Sequence, residues 1–427
     1  MLISHPLRTE LHDELHTRPR PAITVPHVIA HASVIHPSQF PSYPQALLDW
    51  CASNGIEAPA PEQFHFTAAV GTTRLRWELH GEFHEYTFYD TECDAKEPFA
   101  PNRADRCLEQ LLKHEEGQLI AALRLTVLAA DGCEDGSARA ARAFDGEELV
   151  AASVCDQHVD MYSDFRLDQA GCGRFLLIDR ETRPPQLGRV VQFIIDMEVY
   201  RMMAMLAYPE ARELARSLRV MEPRLSGLVT RLDLATTSEE PEILQDLTQL
   251  SAEIEQLSTY SAYRLDAARA YRGLVQQSLS DLRQVRLGWH QTPSEFLDRR
   301  FDPVMNFCEA VNVRLESVSA RVSRASGLLG TRVEIDRERQ NQELLGAMNE
   351  RAAAQLHLQQ TVEGLSVAAI AYYATGLCAY LFKAADKAGL PVRYELATGV
   401  AVVPVVLLVW WFLRRARGRI KGADKPH

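Results

Sequence analysis

The residues best placed to do chemistry lie near the C-terminus, along one side of an apolar stretch. At 100° per residue, Glu363, Ser366, Ile370, Tyr373, Leu377 and Tyr380 fall within about one third of a helix circumference. A carboxylate at the mouth with hydroxyl groups beyond it is a pattern that could line a cation path, and an ionisable residue at the edge of a span marks a functional position by default. Thr361, Tyr372 and Thr375 form a second polar stripe on the opposite side, so polarity alone does not choose the pore face. Interfacial snorkelling or a helix-helix hydrogen bond would account for Glu363 equally well.

Histidines offer a second chemistry. His12 and His16 are four residues apart and would share a helix face beside Glu10, Asp13 and Glu14, a spacing that suits a metal ion. The order His-Asp-Glu-Leu-His matches no zinc-hydrolase pattern, however, and with Pro6, Pro19 and Pro21 bounding it the segment also reads as a docking helix. His80 and His84 would sit on one strand face if a single strand ran through Gly81; a divalent-ion sensor or ordinary strand histidines fit that pattern. Arg76, Trp77, Glu78, Glu82 and Tyr86 bring charged and aromatic groups together on a sheet, as cross-strand ion pairs or a ligand site would.

Enzyme signatures are missing. Gly171-Cys172-Gly173 lacks the third glycine of a dinucleotide loop, and neither a phosphate-binding loop nor a Gly-x-Ser-x-Gly elbow occurs. The 8 cysteines contain no Cys-x-x-Cys pair and no partner that would mark a nucleophile, so they read as reduced thiols in a cytosolic compartment. No catalytic residue and no cofactor is assigned. A chain of 427 residues with a net charge of −11 and a basic end, Arg414 to Lys421, is not expected to bind nucleic acid.

The elements that must position these groups fall into four segments. Residues 1–188 read as a cytoplasmic α+β domain: strands over His27 to His36, Phe64 to Val70, Thr72 to Leu79 and Phe83 to Tyr89, a helix over Pro101 to Gly117, and a buried strand over Leu119 to Ala129. Asp131 to Glu148 reads as a solvated connector, followed by strands over Glu148 to Val154 and Arg174 to Ile178. Residues 189–362 read as a long helical stalk: Val190 to Leu206 ended by Pro209, Glu242 to Leu287, and a proline-free run from Val304 to Leu390. Val318, Val322, Leu329, Val333, Leu344, Leu345, Met348, Leu356 and Leu358 on that run need partners, either preceding helices or other copies of the chain.

Residues 363–413 read as a two-helix transmembrane hairpin. Gly364 to Phe382 carries no formal charge and is roughly 28 Å long at the helical rise, and Leu396 to Leu413 is a second such run. Backbone groups cannot be left unpaired in lipid, so both runs are expected to be helices. The basic tail, residues 414–427, outweighs Lys383, Lys387 and Arg393 in the loop, which puts the tail and the long N-terminal portion in the cytoplasm. No basic region with a following apolar run opens the chain, so no cleavable signal is expected. The expectation is a multi-pass protein of the bacterial inner membrane, in contact with lipid.

Several stretches carry a family resemblance. Leu358 to Ile370, Glu338 to Leu345, Thr331 to Glu334, Arg76 to Phe83, Gly188 to Gln192 and Glu198 to Met202 resemble the bacterial family of predicted membrane-anchored proteins known as domain of unknown function 3422, over nearly the full length. The resemblance brings no activity with it. The order of α/β head, long helix, two spans and basic tail is similar in architecture to the CorA class of magnesium channels, which implies a homopentamer moving a divalent cation such as Mg2+. Where that class carries Gly-Met-Asn, this chain reads Gly376-Leu377-Cys378-Ala379-Tyr380. Two functions are therefore expected in competition: a homo-oligomeric cation channel lined by the first span, or a membrane-tethered scaffold or regulator without transport.

Overall fold

The computed structural model describes residues 4–8, 12, 20–36, 43–60, 63–130, 135–146, 148–387 and 393–420. It forms two compact units, one of Met1–Ala235 with Glu242–Gly327 and one of Thr236–Pro241 with Leu328–His427.

The first unit is built on a nine-stranded sheet. Its strands are β1 (His27–Ile35), β2 (His65–Val70), β3 (Thr73–Leu79), β4 (Phe83–Asp90), β5 (Gln118–Ala129), β6 (Val150–Val154), β7 (Val159–Ser163), β8 (Gly173–Asp179) and β9 (Val285–Arg286). They lie in the order β2-β3-β4-β1-β5-β8-β7-β6-β9. Neighbours are antiparallel except β5 and β8, which pair in parallel with Leu125 beside Phe175. β1 is central and buried on both faces, which is why its alternation sorts apolar from polar side chains instead of buried from exposed.

One face packs Val28, Ala30, Ala32 and Val34 with Leu75, Trp77, Tyr86 and Phe88 under α1 (Gln45–Ser53) and α2 (Arg103–Leu112). Burying side chains of this size contributes about 1.5–3 kcal/mol each. α2 starts at a capping box in which Asn102 and Asp105 satisfy each other's backbone N–H groups. Further along the same face, α3 (Gly136–Ala143) and the residue after it set Ala140 and Phe144 against Leu128, Tyr162 and Ile178. The other face is covered by α4 (Pro184–Met205). A Cβ on Gly188 would lie 1.8 Å from the Pro21 carbonyl oxygen, so α4 and the N-terminal segment can meet only where a side chain is missing.

Long helices follow: α5 (Ala207–Leu234), α6 (Glu240–Asp281), α7 (Pro293–Arg300), α8 (Asp302–Lys387) and α9 (Tyr394–Ile420). Their buried positions recur at three- and four-residue steps, as in Leu214, Leu218, Met221, Leu225 and Leu228 on α5 and Leu315, Val318, Val322 and Ala325 on α8. Ion pairs at the margins, Arg224 with Glu253 at 2.8 Å and Arg269 with Glu309 at 3.1 Å, mark which helices are neighbours. Being exposed, each adds at most about 1 kcal/mol.

In the second unit many large apolar side chains of α8 are open to solvent, among them Leu344, Leu345, Met348, Leu356 and Leu358. Val318, Val322 and Leu329, expected to need partners with them, are buried. Two helices are long and apolar enough to cross a membrane: the one that ends at Ala385, with mean hydropathy 1.6 in its most apolar window, and Glu395–Phe412 at 1.9.

Several local expectations are corrected. Within the segment read as a solvated connector lies α3, held by burial of Ala140 and Phe144. Pro209 does not end a helix; α4 stops at Met205 and Pro209 occupies the first turn of α5, where its missing N–H has no intrahelical partner to lose. Two strands were not anticipated, β7 and the edge strand β9.

Candidate functional site

The sheet face beneath α4 carries an unusual density of buried charge. Register puts Arg76 opposite Thr87 and Glu78 opposite Glu85, while Thr87 and Glu85 stand opposite His31 and Ser33 on the next strand. Because side chains alternate along a strand, all of these project to the same side. Two carboxylates directly opposite each other repel, and Arg76 offsets this by pairing with Glu78 at 2.8 Å. From α4, Gln192 accepts from Arg76 Nη1 at 2.5 Å and donates through Nε2 to Asp196 Oδ1 at 2.7 Å. Arginine, amide and carboxyl thus form one continuous relay from sheet to helix.

His31 is fully buried, with Nδ1 2.9 Å from Thr87 Oγ1 and Nε2 2.9 Å from Ser33 Oγ. Ser33 in turn donates to Glu85 Oε1 at 3.3 Å, and His80 Nε2 lies 3.6 Å from the other Glu85 oxygen. Burial lowers the His31 pKa to about 4, so the ring is neutral at pH 7. Burial would raise Glu85, but the His80 hydrogen bond and the charges of His31, His80 and Arg76 outweigh it and hold this carboxyl at about 2. Asp196 goes the other way: burial, reinforced by the charges of Glu85 and Glu78, lifts it from 3.8 to about 7 against the pull of Gln192 and Arg20. The cluster therefore sets Glu85, ionised at neutral pH, beside Asp196, a carboxyl whose pKa lies near neutrality, a separation of acids of the kind found at functional sites.

Beside the cluster, Tyr271 donates to Glu82 Oε1 at 2.6 Å and Arg264 reaches the other oxygen at 2.9 Å, which fastens α6 to the hairpin between β3 and β4. A small cleft of about 170 Å3 opens on the same side of the sheet, floored by Ala121, Ala122 and Gly173 and flanked by the Glu198–Arg201 ion pair. Among the sequence candidates, Arg76 and Glu78 belong to the cluster and Tyr86 faces the opposite, apolar side, where its hydroxyl donates to Glu115 at 2.6 Å. His31, Glu85, Gln192 and Asp196 were not singled out. Their signal is weak: polar residues recur along β1, β4 and α4, and nothing in the local pattern separates these four from the rest.

The histidine candidates do not come together. His80 and His84 stand on either side of a tight turn, with His80 N donating to Phe83 O, so the chain does not run straight through Gly81. His80 faces Glu85 and His84 faces Glu115, on opposite sides of the sheet. His12 is exposed, and His16 lies outside the described residues. Among the described residues no group of three or more His, Cys, Asp or Glu is arranged to hold a metal ion.

On α8, Ser366, Ile370, Tyr373, Leu377 and Tyr380 share an exposed face, with Glu363 half-buried at its N-terminal end. Ser366 donates to the Val362 carbonyl at 2.8 Å and Thr375 to that of Ala371 at 2.7 Å, so both hydroxyls have acceptors on their own helix. Gln359 donates to Glu363 at 3.4 Å. The less exposed stripe of the same helix, Val367, Ala371, Ala374 and Cys378, is made of small side chains, and α9 has a similar one at Ala397, Ala401, Val405 and Val409. Small residues at such steps let membrane helices approach closely.

No curated protein and no solved structure matches the chain, and the architectural likeness to the CorA class draws no support from these comparisons. A single family model spans residues 3–420, nearly everything described above, and on that match the chain belongs to the family described as protein of unknown function (DUF3422).

Proposed function

We propose that this protein is a membrane-tethered regulatory or scaffold protein of the bacterial inner membrane, with its α/β head and basic tail in the cytoplasm and a two-helix hairpin as anchor. One observation carries the reading: α8 continues from buried bundle positions such as Val318 and Val322 into the apolar window as one helix, Asp302–Lys387. A helix shared by head and membrane segment can couple the two without requiring a path through the bilayer. Serine and threonine hydroxyls bonded to their own helix suit an anchor, since each polar group in lipid needs an acceptor. Leu396, Val400, Val403 and Leu407 on α9 are exposed and would face lipid chains.

Carbonate washing of membranes and protease treatment of sealed inverted vesicles test the topology. Retention in the membrane with digestion of the head is the expected result; release by carbonate, or a protected head, overturns it.

A second reading keeps a specific observation in its favour. Ser366, Tyr373 and Tyr380 share an exposed face with Glu363 at its end, and around a symmetric axis that face would line a path for a divalent cation such as Mg2+. Reconstituted protein that moves Mg2+ or Co2+ into liposomes, with flux cut by Glu363→Gln, would establish the channel; absence of flux leaves the tether.

A further inference from the structure

We infer that one face of α8, from Leu328 to Tyr380, is a seam onto a second copy of this chain packed in parallel; the inference rests on the membrane-tether reading above. Stepping alternately three and four residues, the face passes through Leu328, Ile335, Leu345, Ala352 and Leu356 and then, without a change of step, through Glu363, Ser366, Ile370, Tyr373, Leu377 and Tyr380. A strict seven-residue repeat is what keeps a seam directed at a partner helix as both supercoil. Over roughly 80 Å of helix the repeat does not slip.

The apolar members are open in the monomer: Leu328 is 73% exposed, Ile335 63%, Leu345 60%, Leu356 60% and Tyr373 72%. A shallow groove runs along the seam where Thr331, Ile335, Glu338 and Gln342 line it.

Three features select the occupant. The seam begins among charged residues and ends inside an apolar window. A partner covering all of it must change from water-compatible to lipid-compatible at the same height, and a copy held in the same bilayer with the same orientation does so in register. Charge agrees with this alignment. Glu334 and Arg339 flank the seam five residues apart, the separation at which flanking residues of two parallel helices meet, so Glu334 of each copy faces Arg339 of the other. Gln342 and Asn349 lie on the seam itself; an amide both donates and accepts, so each is complementary to its own copy and disfavours any shifted register.

Glu338 and Glu363 are the discordant members, since two copies bring like charges together at each; within one chain Glu338 accepts from Gln342 Nε2 at 3.2 Å. This gives the seam a signature of opposite responses. Leu345→Glu should weaken association and Glu338→Leu should strengthen it, although both sit on the same face of one helix.

The test uses the full-length protein in native membranes. Single cysteines introduced by Leu345→Cys and Leu356→Cys should form disulfide-linked dimers under mild oxidation well above the unmodified chain, which serves as the baseline for its own cysteines. Ala347→Cys and Ala354→Cys, on the outward face, should not exceed that baseline. Native mass in mild detergent should then show oligomers lost in Leu345→Glu and persisting to greater dilution in Glu338→Leu. Equal linking on both faces, no linking on the seam, or a monomer in the unmodified chain overturns the inference. Carbonate extraction on the same membranes separates the two ideas: a membrane-resistant monomer removes the seam and leaves the tether, whereas a carbonate-soluble protein removes the tether.

Discussion

Replacing Asp196 by Asn should make the protein more stable, and increasingly so as pH rises. The change is nearly isosteric, and the Gln192 amide can still donate to the remaining carbonyl oxygen, so the relay from Arg76 survives. What disappears is the cost of ionising a carboxyl that burial and the charges of Glu85 and Glu78 have lifted from 3.8 to about 7. The folded state holds this proton more tightly than the unfolded state. Its contribution is therefore fully present below pH ~4 and is lost as pH climbs through ~7. About three pH units at ~1.36 kcal/mol each set a total of ~4 kcal/mol. By pH 5 the unfolded carboxyl is already ionised and ~1.5 kcal/mol of that is gone, so between pH 5 and pH 8 the variant should gain about 2–3 kcal/mol on the parent. Paired denaturation of the two proteins, followed through the buried Trp77, measures the difference at each pH and cancels every other titrating group. A gap that stays constant, or narrows toward pH 8, would refute the account of the cluster.

His31 acts in the opposite direction: with its pKa lowered to about 4 it stabilises the fold above pH ~6.5 and the stabilisation is lost on acidification toward 4, so His31→Gln should flatten that limb of the stability profile, read by the same denaturation series. Gly188→Ala places a methyl group 1.8 Å from the Pro21 carbonyl oxygen and should lower the denaturation midpoint, with faster hydrogen exchange across Ala22 to His27. Phe144→Ala should cost about 3–5 kcal/mol, because its ring is fully buried against Phe99 and Ile178, whereas a true solvated connector would tolerate it; thermal denaturation decides. Burial pushes the Cys51 thiol above its usual range, so alkylation at pH 8 in the folded protein should be far slower than after denaturation, measured by mass spectrometry of the labelled peptide.

Periodicity revealed those parts of the fold that depend on local alternation. β1 to β5, α4, α6 and α8 appear in the sequence because apolar residues recur at two or at three and four steps or run together, with helix ends that shift by up to a turn or two, whereas α5 (Ala207–Leu234) is not among the expected helices, since Pro209 and Pro223 read as breaks. β7 was hidden for a different reason. The turn before it takes Cys155, Asp156 and Gln157 through left-handed backbone at φ 54, 57 and 68, with no glycine or asparagine to announce it. The buried cluster was illegible because it is assembled by register and docking: His31, Glu85 and Asp196 are far apart in the chain and meet only once β1, β4 and α4 are in place. The face of α8 proposed as a seam is half legible in the sequence. Its end in the apolar window stands out as a polar stripe, while its charged end needs the exposure of Leu345 and Leu356 to be separated from core positions.

The two residues of β9 matter more than their number suggests. Val285 and Arg286, in the link between α6 and α7, pair with Ser153 and Ala152 of β6, and the Gln291 carbonyl accepts from Ala151 N at 2.9 Å. They act as a bolt across the rim of the sheet, occupying hydrogen-bonding groups that would otherwise recruit a strand from another molecule. A fragment ending before Val285 would leave β6 as a bare margin and stick to itself, while one extended to Gly327 would keep the rim closed. The sheet and the helices up to Gly327 thus belong to one compact unit, and any attempt to divide the chain has to cut on the far side of that bolt.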